Sequence, residues 1–105
     1  MRVKNKRTYY LKPKTVIEDK EGGKYPGYST TAIDIKANIW PASGKLQAEI
    51  YGERLNYILN MLYDGNKIIN EGDGICVYVD STKEPDYKVI SIKNYSHGLM
   101  ELEKL

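Results

Sequence analysis

The side chains able to do chemistry in this chain are few and lie far apart. His97, the only histidine, reads as part of a turn, Tyr95-Ser96-His97-Gly98, and no local motif offers it a catalytic nucleophile or an orienting carboxylate. A catalytic imidazole needs such partners. Glu71 and Asp73, in the run Glu71-Gly72-Asp73-Gly74, offer oxygens of the kind calcium takes, but the ligand spacing of a calcium loop is missing. They read as solvated turn residues. Gly72 and Gly74 lack the lysine and the following helix that a phosphate loop requires. Glu49 and Glu53 stand four apart on a presumed helix, which is ordinary solvated surface. Cys76 is the one cysteine, so an intrachain disulfide framework and a cysteine-based zinc cluster are both excluded. Within Ile75-Cys76-Val77-Tyr78-Val79 it reads as a buried, inert thiol. No enzyme activity, cofactor or metal is expected from this set.

Binding is the remaining kind of function, and the aromatic content bears on it. Ten tyrosines and one tryptophan stand against no phenylalanine. Tyrosine joins an apolar body to a polar tip and suits half-buried positions and wet interfaces. Tyr9, Tyr51, Tyr57, Tyr63, Tyr78, Tyr87 and Tyr95 fall in expected elements and are expected to pack. The net charge of +2, from 16 basic and 14 acidic side chains, announces neither a nucleic-acid nor a membrane surface. The basic excess is local, with Arg2, Lys4, Lys6, Arg7, Lys12 and Lys14 in the first stretch. No apolar run reaches signal-peptide or membrane-spanning length, so synthesis in a cytoplasm and no membrane partner are expected.

These side chains must be positioned by the stretch 32–53. Ile33, Ile35, Ala37 and Ile39 alternate with Asp34, Lys36 and Asn38, the period of a strand with one buried face. Trp40-Pro41 is expected to stop that strand, because proline cannot donate to a ladder. Ser43-Gly44 then enters a short helix over residues 44–52, with Ser43 as a candidate N-cap, Leu46, Ile50 and Tyr51 at helical spacing, and Gly52 closing it. Trp40 is expected to act as a lid on the core.

Around that centre, residues 5–12 form a basic strand that Pro13 ends, and Thr15-Val16-Ile17 offers a brief pairing segment. Residues 18–31 read as one long loop punctuated by Gly22-Gly23 and Pro26-Gly27, a length usually mobile or functional. Residues 54–63 are ambiguous between strand and helix, with strand favoured. Asp64-Gly65-Asn66 turns. Residues 75–79 read as a central strand and 87–93 as another. Over 99–105, Leu99, Glu101 and Glu103 alternate against Met100, Leu102 and Lys104. About six short, mostly antiparallel strands with one short helix predict a mainly β, single-domain chain, a small sandwich or barrel, with the barrel core placed at residues 32–105. Closure would remove edges that so small a chain cannot otherwise cover.

A strand ending in Trp40-Pro41-x-Ser43-Gly44, then a helix carrying Gln47-Ala48-Glu49-x-Tyr51-Gly52, resembles the head-closure proteins of long-tailed bacteriophages, also called stopper or head-tail connector proteins. The resemblance extends through residues 54–65, EGDGICVYV, PDYKVISIKNY and ELEKL, and covers roughly residues 30–105. It implies a β-barrel with a short helix and a virion protein at the head-tail interface. Such a protein forms a ring with copies of itself, between a portal or adaptor protein and a tail protein, and closes the exit channel for packaged DNA. On that basis Gly22, Gly23, Tyr25, Pro26, Gly27 and Tyr28 are candidates for an assembly loop. Trp40, Pro41, Ser43, Gly44 and Lys45 form a candidate interface corner. Lys4, Lys6 and Arg7 are candidate contacts to DNA or an acidic neighbour. A different reading is an OB-like nucleic-acid-binding barrel, in which bases stack on surface tyrosines. Against it, lysines beyond the N-terminal stretch are interleaved with acids.

Overall fold

The structure, a computed structural model, describes residues 6–93 and 98–105; Lys4, Tyr95 and His97 lie outside them. Among the described residues eight strands form: β1 (Arg7–Lys12), β2 (Lys14–Glu18), β3 (Lys24–Tyr28), β4 (Ile33–Pro41), β5 (Ile58–Leu62), β6 (Gly74–Cys76), β7 (Tyr87–Ile92) and β8 (Leu99–Lys104). Between β4 and β5 lie helix α1 (Lys45–Tyr51) and a 3-10 segment, Gly52–Tyr57. Six strands close a barrel in the order β1-β4-β5-β8-β7-β6, and β6 pairs back onto β1. Every pairing is antiparallel. The expected mainly β barrel with one short helix is therefore present, but it is not confined to residues 32–105, because β1 is one of its strands and closes it.

Alternation fills the barrel. Leu11, Ile35, Ala37, Met61, Ile75, Val89, Met100 and Leu102 all point inward and are buried. In β8 the expected division holds, with Met100 and Leu102 in the core and Glu101 on the outer wall beside its partner Asn60 of β5. Cys76 is buried, as expected of a lone thiol in an apolar run.

The strand of the central stretch ends at Trp40-Pro41, as expected, with Pro41 still paired to Leu59. Pairing of β4 with β1 has already ended at Ala37, so the missing proline N–H falls where no neighbour waits for it. Residues 18–31 are not one loop: β2 and β3 pair from Lys14↔Tyr28 to Glu18↔Lys24 as a two-stranded sheet of their own. Only the turn between them is irregular. Gly27 belongs inside that hairpin because a Cβ there would collide with the Ile17 side chain. The ambiguous 54–63 stretch divides, 3-10 up to Tyr57 and strand from Ile58.

The strand expected over 75–79 is shorter. The Asp86 carboxylate accepts the backbone N–H groups of Val77 (2.8 Å) and Tyr78 (3.0 Å), which bends the chain away from the ladder after Cys76. Tyr78 is left 75% exposed, and Tyr57 is exposed too, so two of the tyrosines expected to pack do not. Asp73 is buried rather than solvated. Its carboxylate accepts the N–H of Lys14 (3.0 Å) and of Asn70 (2.9 Å), tying the start of β2 to the turn before β6.

Candidate interaction surfaces

The first surface is the β2–β3 hairpin, which leaves the barrel between β1 and β4. Asp19 organises its turn by accepting the N–H of Glu21 (2.9 Å) and Gly23 (2.7 Å) on one carboxylate oxygen. Gly22, at φ 84°, supplies the left-handed residue that such a turn needs. Val16, 65% exposed, and Tyr25, 49% exposed, line an open cleft of about 370 Å3 with Lys24 and Pro26. At the base, the N–H of Ser29 donates to the Pro13 carbonyl (2.8 Å), and Tyr28 lies against Gly74. The six candidate loop residues thus divide: Gly22 and Gly23 shape the turn, Tyr25 and Pro26 present apolar surface, Gly27 admits Ile17, and Tyr28 anchors the base. Burial pushes the Tyr28 phenol up, with Glu84 and Asp73 adding to it.

The second surface surrounds α1. Leu46 and Ile50, which stand at helical spacing, are 67% and 59% exposed, and no residue of α1 is buried. The other face of the helix meets the barrel through polar groups. Gln47 Nε2 donates to Asn60 Oδ1 (2.7 Å) and to Glu101 Oε2 (2.9 Å), while Tyr51 hydrogen-bonds Glu101. Glu101 is only 2% exposed, and its Oε1 meets the Lys93 ammonium at 2.6 Å. Burial alone would push this carboxyl up, but Lys93, Gln47 and Tyr51 outweigh burial and hold it below the usual glutamate range. The Tyr51 phenol is pushed up to about 12 by burial and by its bond to Glu101. Arg54 pairs with Glu103 (2.6 Å) and lies over the Tyr51 ring, 5.7 Å from its centre.

A cleft of about 170 Å3 opens beside this network, walled by Trp40, Leu46, Ile50 and Leu99 above Gln47, Asn60, Lys93 and Glu101. Trp40 is thus half-buried at the rim of an outer cleft rather than a lid on the core. Ser43 does not cap the helix with its side chain. The N-cap is Gly44 at φ 98°, and the Ser43 N–H donates to Gln47 Oε1 instead (3.1 Å). Pro41 and Lys45 are exposed.

The third surface is the basic start. Lys6 and Arg7 line a cleft of about 450 Å3 with Tyr9, Asn38 and Ile39. Lys6 is engaged with Asp64 at 2.9 Å, and Arg7 is exposed beside it. These residues lie towards the Trp40 end of β4, whereas the hairpin joins at its Ile33 end. A strand of this length spans roughly 25–30 Å, so the structure does not bring the hairpin and the corner together.

Gln47, Asn60, Lys93 and Glu101 were not expected to act together. Their signal was present: Gln47 and Tyr51 share a helix face at four-residue spacing, and Glu101 occupies an outer position of β8. Among the described residues no group of three or more histidine, cysteine or acidic side chains could hold a metal ion, and no helix is long and apolar enough to cross a membrane. No family model matches the chain, and no curated protein shows significant similarity to it.

Proposed function

We propose that this chain is a structural virion protein of the head-closure kind, assembling as a ring at a phage head-tail junction, closing the DNA exit channel and offering a surface to the tail. It is not an enzyme in this reading. The observation that carries it is the hairpin: the barrel has no free edge, yet β2 and β3 leave it as a separate ribbon with Val16, Tyr25 and Pro26 exposed. Exposed apolar surface on an otherwise closed small barrel marks a place where another protein sits. Trp40, Leu46 and Ile50, at the other end of β4, supply a second and different patch. Two unlike patches on one chain are what a head-to-tail ring requires.

The first test is electron microscopy of a lysate from a strain lacking the gene. DNA-filled heads and finished tails lying unjoined are expected. Joined particles, or none of any kind, would overturn the reading. A finer test replaces residues 16–26 with a short Gly-Ser turn. Because the hairpin pairs with no barrel strand, the barrel should stay folded by circular dichroism while incorporation into particles is lost.

A nucleic-acid module is the second reading, and Arg7 beside Tyr9 in the basic cleft is its best support. The six-stranded closure departs from the five-stranded, partly open OB barrel. Salt-sensitive, submicromolar binding of a single-stranded oligonucleotide by the isolated protein would favour it.

A further inference from the structure

Helix α1 is attached to the barrel in an unusual way. A surface helix ordinarily docks by an apolar stripe, but α1 turns Leu46 and Ile50 to solvent and buries no residue. It packs closely only on the 3-10 segment that follows it. Its hold on the outer wall is the polar set that converges on Glu101: Gln47 and Tyr51 from the helix, Asn60 through Gln47, and Lys93 from the chain after β7.

Both ends of the helix are glycines in conformations that side chains avoid, Gly44 at φ 98° and Gly52 at φ 57°. A Cβ at either would meet nothing within 4 Å, so backbone freedom and not space is what glycine supplies there. The excursion also starts and ends at one place, since the Ala42 N–H donates to the Ile58 carbonyl (3.1 Å) across β4 and β5.

The geometry points to α1 as a hinged lid, latched to the barrel wall by the ionised Glu101 carboxylate and able to swing out about Gly44 and Gly52 while the barrel stays closed. Lifting it widens the cleft beside Trp40 and Leu99 and frees Gln47 and Tyr51 together. The charged groups facing the latch are Lys93, the Arg54–Glu103 pair of the 3-10 segment and β8, and the Tyr51 phenol. The inference is independent of what the barrel assembles with.

Hydrogen exchange read by mass spectrometry on the full chain tests it, with rates corrected for intrinsic chemistry. Peptides covering residues 44–57 should exchange well before those of β5 and β8. Glu101→Gln should speed exchange of 44–57 by about tenfold or more, the scale of a lost charge-assisted contact, and leave β5 and β8 slow. In the wild type the same acceleration should set in as pH falls through the depressed carboxyl, and the variant should no longer show it. Should Glu101→Gln not fold, the double variant Gln47→Leu, Tyr51→Phe leaves the Glu101–Lys93 pair intact and should speed the same peptides. Exchange of α1 in step with β5 and β8, or no response to either variant, would overturn the lid.

Discussion

Glu101 holds a charge where water scarcely reaches, and it and its neighbour Tyr51 are shifted in opposite directions. Its carboxyl sits below the ordinary range in the folded chain. Its contribution to stability is therefore complete above the unfolded glutamate range and is lost as pH falls through the folded value. Tyr51 behaves in mirror image. Its phenol rises from 10.0 to about 12, so its contribution is complete below pH 10 and disappears as pH climbs towards 12. Tyr51→Phe should flatten that alkaline decline, measured as the urea midpoint across the alkaline range. Tyr28 and Tyr87, both raised chiefly by burial, keep a residual slope of the same sign. An unchanged slope would place the effect on those two tyrosines instead of on the latch.

Elements whose one face is buried were legible, because alternation leaves no choice of face; β4 and β8 read correctly on that ground, whereas in β7 an irregularity between Val89 and Ser91 breaks the alternation and brings Ile92 against the core. Where the pattern does not name the face, the reading fails. Leu46 and Ile50 share a helix stripe, but so do Gln47 and Tyr51, and a buried glutamate more than fifty residues away decides which one turns inward. The hairpin was hidden by its own composition, since Pro26-Gly27 signals a turn whereas Gly27 actually admits Ile17 within a strand. Strand β6 was overestimated because Asp86 takes N–H groups that a ladder would have used. Turns can be equally exacting. Gly98 precedes β8 at φ 78°; a Cβ there would strike the Tyr63 carbonyl oxygen, and the Tyr63 N–H donates to the Gly98 carbonyl (3.0 Å). Gly98→Ala should cost about 1–3 kcal/mol by chemical denaturation.

At the scale of the whole molecule, closure depends on its shortest strand. β6 offers three residues to β1 and two to β7, yet it joins the two ends of the sheet. Ile75 is at the middle of that seam, fully buried, with Leu11 as its partner on one side and Tyr87 on the other. Ile75→Ala should lower stability by about 2–5 kcal/mol in urea unfolding, and the loss should appear chiefly as faster unfolding if the seam forms last. Closure also leaves β2 and β3 as the strands with open edges, and these two edges are not alike. Pro26, in the middle of β3, must direct its ring nitrogen to the outer side, since within the pair its neighbour Val16 would be left wanting a donor. One flank of the ribbon is thereby interrupted, and the other is open beyond Lys14, whose N–H is held by Asp73. A strand can be added along the rest of β2, but the sheet cannot run on through β3 into the next copy. Pairing of two hairpins by their open flanks would stop at two chains, so a larger circle has to be joined by side chains at each step, and fibre growth along this ribbon ends where it starts.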